Sequence, residues 1–131
     1  MASHGPFVAV VDDEPAVRAM LGRLLRLSNY QVSAFSSGAE FLASLNAHTP
    51  ACAVLDINMP ELSGLEVQLR MRAAHIRIPV VLITASDDSD LDKSARDVGA
   101  VGLLRKPFSN DDLIKAVGLA IESRPLITPK I

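Results

Sequence analysis

The 131-residue chain has no tryptophan, one tyrosine and four phenylalanines, so aromatic residues make up only 4% of it. No basic residues interleave Phe7, Tyr30, Phe35, Phe41 and Phe108. That speaks against a base-stacking platform, and the rings are expected in a core. Charge of one sign is equally scarce: 13 Lys and Arg stand against 15 Asp and Glu, a net charge of −2. Without a basic surplus there is no phosphate-seeking surface, so direct nucleic-acid binding by this domain is not expected. The single cysteine, Cys52, rules out an intramolecular disulfide, and its place inside an apolar run makes it a small core residue. No apolar stretch reaches the ~18 residues that cross a bilayer. The start, Met1-Ala2-Ser3-His4-Gly5-Pro6, lacks a charged segment followed by an apolar one. Neither membrane insertion nor secretion is expected, and a reducing cytoplasm fits. His4, His48 and His75 show no metal-ligand spacing. Internal repeats, low-complexity segments and a glycine-rich phosphate loop are also missing.

What is present is apolar and ordered in blocks. Hydrophobic residues make up 49% of the chain and charged residues 21%, which describes one compact α/β domain. Four short runs, Phe7 to Val11, Ala51 to Leu55, Val80 to Ile83 and Val101 to Leu104, suit strands buried on both faces of a parallel sheet. Gln31 to Phe35 reads as a further short strand. Helical spacing fills the gaps. The first helix is expected from Glu14 and Pro15, with Val17, Met20, Leu21, Leu24 and Leu25 on its inward stripe. Others are expected over Ala39 to Asn46, Gly64 to His75, and Asp88 to Val98, the last stopped by Gly99. A fifth runs from Asn110 to Ser123, capped by Ser109 with Asp111 and Asp112 at its positive end. Residues 124–131, with two prolines and no period, read as a tail or linker stub.

A polar residue stands wherever one of the four runs stops: Asp12 and Asp13, Asp56, Thr84, and Lys106. Parallel neighbours bring their carboxyl ends to one edge of the sheet, where open α/β folds bind ligands. Three carboxylates gathered there repel one another unless a cation sits among them, and oxygen-only donors favour Mg²⁺. Lys106 adds a compact cation and Thr84 a hydroxyl donor, both suited to phosphoryl oxygens. A carboxylate beside both cations is poised as a nucleophile toward phosphorus. Singly, each residue has an ordinary structural role, since strand-end aspartates cap helices and make Asx turns. The conjunction at the ends of different strands is what points to chemistry.

Val11-Asp12-Asp13-Glu14, Leu55-Asp56-Ile57-Asn58-Met59-Pro60 with Gly64, Ile83-Thr84-Ala85 and Lys106-Pro107-Phe108 together resemble the receiver domain of two-component response regulators. The resemblance covers residues 6–123. It implies a flavodoxin-like (βα)5 fold: a doubly wound, parallel, five-stranded sheet of order 2-1-3-4-5 with helices on both faces. It makes Asp56 the phosphoacceptor, with Asp13, Asp56 and the Asn58 main-chain carbonyl as direct Mg²⁺ ligands and Asp12 acting through water. Thr84 and Lys106 become the phosphoryl-sensing pair. The Lys106–Pro107 bond is expected to be cis, as is usual in the family. Asn58 and Ser86 occupy positions that tune attack of water on the acyl phosphate. Receivers commonly carry an aromatic residue three positions before the lysine, and here it is Leu103. That leaves three readings: Leu103 switches through changed packing, the fourth helix carries the shift alone, or Leu103 simply contributes to a dimer or partner surface formed by the fourth helix, fifth strand and fifth helix.

The implied partners are a sensor histidine kinase and an output domain or protein target, with a homodimer possible through that same surface. The resemblance is greatest to receivers that precede a helix-turn-helix output domain, which implies transcription regulation. The domain is expected to be a switch, not an enzyme acting on a separate substrate. Two other readings share part of the chemistry. A Mg²⁺-dependent aspartyl phosphohydrolase needs an acid two residues beyond the nucleophile, where Asn58 stands. The other is a degenerate receiver used only as a phosphorylation-independent binding module; every site residue is present, so only failed phosphorylation would support it.

Overall fold

The computed structural model describes residues 7–123. Strands and helices alternate: β1 (Phe7–Val11), α1 (Pro15–Leu27), β2 (Gln31–Phe35), α2 (Gly38–Ser44), β3 (Cys52–Asp56), α3 (Gly64–Ala73), β4 (Val80–Thr84), α4 (Asp90–Asp97), β5 (Gly102–Arg105) and α5 (Asn110–Ser123). The strands form one sheet of order β2-β1-β3-β4-β5, and every pair is parallel. This is the expected flavodoxin-like arrangement.

Alternation along each central strand sends side chains to two cores. Val8, Val10, Cys52, Val54, Val81 and Ile83 pack with Leu21 and Leu25 of α1 and Leu113 and Val117 of α5. Their neighbours Ala9, Val11, Ala53, Leu55, Val80 and Leu82 pack on the other face with Phe41 of α2, Val67 and Met71 of α3, and Ala95 of α4. A strand sandwiched this way has no solvent face, which is why β1, β3 and β4 read as almost unbroken aliphatic runs.

β5 departs from that expectation. It is an edge strand, its four residues are only half-buried, and Val101, expected within it, lies before it and is 48% exposed. Apolar composition alone cannot separate an edge strand from a central one. Met20, expected on the inward stripe of α1, is exposed, because the buried positions of that helix are Leu21, Gly22 and Leu25.

Helix ends follow local chemistry. Pro15 opens α1 at a position where its missing N–H is not needed. Ser63 and Glu66 form a reciprocal capping box on α3, and Ser109 Oγ accepts the Asp112 N–H at 3.0 Å as expected. The second helix starts one residue earlier than its periodicity suggests because the Ser37 hydroxyl caps it, accepting the Glu40 N–H. The third stops at Ala73, two residues early, and His75 takes a left-handed φ of 62°. The fourth starts at Asp90 because Ser86 and Asp88 hold the preceding backbone in turns, accepting the N–H groups of Asp88 and Asp90. Gly99 has φ +88°, the left-handed conformation its place after α4 requires. The expected tail, residues 124–131, lies outside the described residues.

Candidate functional site

The register of the sheet assembles the site. Val11 pairs with Leu55, Asp56 with Ile83, and Thr84 with Arg105. The next residues at each strand end therefore face one another across the carboxyl edge. Asp12 is fully buried. Its N–H donates to the Phe35 carbonyl at 3.1 Å, and its Oδ1 accepts the Glu14 N–H at 2.9 Å. The Arg18 guanidinium donates to its main-chain carbonyl at 2.8 Å. Asp56, only 3% exposed, has Oδ1 held by the Asn58 N–H at 3.0 Å. Asp12, Asp13 and Asp56 each bring a carboxylate oxygen to within 4.8 Å of the other two.

Crowding and burial show in the acid strengths. Burial first, then the charges of Asp12 and Asp13, push the Asp56 carboxyl up to about 6, against the pull of the Asn58 N–H and Lys106. Asp12 is raised as well, mainly by burial, although the Glu14 N–H and Lys106 pull it down. Asp12 Oδ2 and Asp13 Oδ1 are buried without a hydrogen-bond partner. Two buried oxygens without hydrogen-bond partners beside a third carboxylate could serve as a ligand set for a hard cation, because a buried anion without a partner is strongly disfavoured.

Across the edge stand the other polar groups. Lys106 Nζ lies 3.9 Å from Asp12 Oδ2 and 3.7 Å from Glu14 Oε1. Its backbone N–H donates to the Thr84 carbonyl at 2.8 Å, and the Lys106–Pro107 bond is cis, as expected. The Thr84 hydroxyl is fully buried. It donates to Asn58 Oδ1 at 2.9 Å and accepts the Ser86 N–H at 3.0 Å. The structure thus brings Asp12, Asp13, Asp56, Asn58, Thr84 and Lys106 together with Ser86 alongside. Leu103 stands apart: half-buried on β5, it packs against the apolar core that contains Ala95 and Val98.

Four contributors escape a reading of motifs for chemistry. Glu14 faces Lys106, and Arg18 fixes the Asp12 backbone from one turn into α1. Gly64 packs so closely that a Cβ there would stand 2.6 Å from the Asp56 carbonyl oxygen. Arg105 forms a fork on both carboxylate oxygens of Asp92, each at 3.2 Å, and donates to the Asp88 carbonyl at 2.7 Å, tying β5 to the start of α4. Glu14 and Gly64 at least recur in the motifs that carried the resemblance. Arg105 leaves no sequence signal, since its partners are 13 and 17 residues away. A hollow of about 300 Å³ lies at the opposite, amino-terminal edge of the sheet, lined by Gln68, Arg72, Ile78, Pro79 and Val101, and takes no part in this cluster.

A sheet of this order with an acidic pocket at the β1 and β3 ends, flanked by threonine and lysine, defines a class of protein, and the comparisons agree on it. The response regulator receiver domain family matches residues 8–118. The chain is 33% identical over 125 residues to the response regulator protein TodT of Pseudomonas putida, covering 95% of this chain and 55% of TodT. It is 37% identical over 114 residues to the DNA-binding transcriptional regulator NtrC of Escherichia coli, covering 87% of this chain and 24% of NtrC. Among solved structures it is similar to FixJ-N, with a TM-score of 0.86 and 31% identity over 97% of this chain and 100% of that one. The chain belongs to the response regulator receiver family. It spans about half the length of TodT and about a quarter of NtrC. Among the described residues no helix is long and apolar enough to cross a membrane.

Proposed function

We propose that residues 6–123 form a phosphoacceptor switch that takes a phosphoryl group onto Asp56 from a phosphohistidine of a sensor histidine kinase. The observation that carries this reading is the buried carboxylate cluster with its two unpartnered oxygens, set opposite a lysine and a threonine hydroxyl. In the transfer, an Asp56 carboxylate oxygen attacks phosphorus, the P–N bond breaks and the imidazole leaves, so the product is an acyl phosphate. Lys106 neutralises one equatorial phosphoryl oxygen and the Thr84 hydroxyl donates a hydrogen bond to another. Asp12, Asp13, Asp56 and the Asn58 main-chain carbonyl would hold Mg²⁺, which would supply further charge neutralisation during the transfer. Asp12 is the best candidate to act through water.

Return to the resting state is hydrolysis of the acyl phosphate. Neither Asn58 nor Ser86 offers a base to the incoming water, which favours a long-lived phosphorylated form. The domain so acts on its own Asp56, and its task is signalling rather than turnover. About two added negative charges beside Thr84 and Lys106 bias the surface of α4, β5 and α5. The Arg105 clamp ties β5 to α4 within that surface, while exposed Val101 and Leu119 supply apolar area for an output domain, a protein target or a second copy. The likeness to TodT and NtrC supports an output in transcription, served from the cytoplasm.

The test is the intact mass after incubation with a small-molecule phosphodonor and Mg²⁺, beside Asp56→Asn. One added phosphoryl group in the wild type, absent in the variant and without metal, is expected. No adduct under conditions where metal binding is established would reject the reading.

A further inference from the structure

We infer that Asn58 is a latch on Thr84: its side-chain carbonyl accepts the one hydrogen bond that the Thr84 hydroxyl has to redirect to a phosphoryl oxygen, so Asn58 restrains switching. The inference rests on Asp56 as the phosphoacceptor. A threonine hydroxyl has a single donor and two acceptor lone pairs. Here the donor is committed to Asn58 Oδ1 at 2.9 Å, while the oxygen accepts the Ser86 N–H at 3.0 Å. The Ser86 contact fixes where the hydroxyl sits without using its proton. Thr84 is fully buried, so bulk water offers no ready substitute acceptor, and an unmatched hydroxyl there is disfavoured.

Loading of Asp56 therefore has to break the Thr84–Asn58 bond before the new one forms. Asn58 itself is exposed, and once released its amide can turn to solvent at little cost. The same residue donates its main-chain N–H to Asp56 Oδ1 at 3.0 Å, so it grips both ends of the switch, the carboxylate through its backbone and the sensor through its side chain. A contact made only in the unloaded state lowers the apparent affinity for the phosphoryl group by the strength of that contact. For one neutral hydrogen bond the factor is about two- to tenfold. Asn58 acts through Thr84 and is a positioning residue, not a catalytic one.

Beryllium fluoride with Mg²⁺ serves as the phosphoryl stand-in, titrated calorimetrically into the full chain and into Asn58→Ala, Thr84→Val and the double variant. Asn58→Ala is expected to bind about two- to tenfold more tightly than wild type. In the Thr84→Val background the same substitution is expected to change nothing, because there is no hydrogen bond left to redirect. A purely structural role for Asn58 would not vanish in that background. Equal or weaker binding by Asn58→Ala, or an equal gain without the hydroxyl, would overturn the latch while leaving Asp56 in its role. Failure of the wild type to take up the ligand would overturn the Asp56 assignment and the latch with it.

Discussion

Replacing Asp56 with asparagine is expected to stabilise the metal-free protein at neutral pH, although it removes a buried group with a satisfied hydrogen bond. Asp56 is 3% exposed, and burial with the neighbouring Asp12 and Asp13 raises its pKa from 3.8 to about 6. A folded-state pKa above the unfolded one means that folding favours the protonated acid. Its contribution is fully present below about pH 3.8 and is lost as pH rises through about 6. The interval corresponds to ~3 kcal/mol at pH 7 and above. Asparagine keeps the shape and an oxygen for the Asn58 N–H but cannot ionise, so the variant escapes that loss. The gain over wild type is therefore up to ~3 kcal/mol at pH 7.5, equivalent to roughly 10 °C in Tm for a domain of this size, and shrinks toward zero by pH 4. Urea denaturation of both proteins in chelator, at several pH values, reads the difference directly. A difference that does not change with pH, or a less stable variant at pH 7.5, would refute the electrostatic reasoning. Added Mg²⁺ gives the complementary observation: it is expected to stabilise wild type at neutral pH and to do so much less for Asp56→Asn, whose ligand set has lost one carboxylate.

Other perturbations probe other parts of the structure. Gly64→Ala places a methyl 2.6 Å from the Asp56 carbonyl oxygen, a backbone atom unable to yield without moving the strand end. A loss of ~1–3 kcal/mol in urea denaturation, together with weaker Mg²⁺ binding, is expected. Cys52 is fully buried, and burial pushes its thiol up to about 12, so a thiol reagent at pH 8 is expected to label it only under denaturing conditions. Rapid labelling of the native protein would contradict the placement of β3. An acid introduced by Ser86→Asp or Asn58→Asp supplies a base for water, and a dephosphorylation time course is expected to show at least tenfold faster loss than in wild type. Arg105→Ala removes the fork on Asp92 and the hold on the Asp88 carbonyl. Amide hydrogen exchange over 88–92 is expected to rise about fivefold while β4 stays protected, and unchanged exchange would show that the clamp contributes nothing.

The central strands were legible because burial on both faces leaves no room for polar alternation, so a run such as Val80 to Ile83 announces itself. The polar residues ending those runs were legible for the same reason, since a carboxylate or hydroxyl at the limit of an aliphatic segment stands out. Edges were not. The run Val101 to Leu104 is almost as apolar as Val80 to Ile83, yet β5 is only half-buried, because it has one neighbour, β4, instead of two. Helix limits shifted by one or two residues wherever Ser37, Ser86 or Asp88 captured backbone N–H groups, a competition that hydrophobic spacing does not register.

Residues near the site divide along the same line. Asp12, Asp56, Thr84 and Lys106 declare themselves because each sits beside a strand end. Their connections depend on register, which a list of strand ends does not contain. Asp56 pairs with Ile83. Asn58, two positions on, thereby comes level with Thr84, one position beyond Ile83, and their side chains meet across 26 residues of sequence. Slipping β4 by one residue would turn Thr84 to the opposite face of the sheet, and Asn58 would lose its partner. Arg105 is governed by the same alignment: paired with Thr84 at the end of β5, it is held where its side chain can reach both Asp92 and the Asp88 carbonyl. The parallel register is thus what joins the Thr84 end of β4 to the start of α4, and neither contact can be altered without testing that alignment.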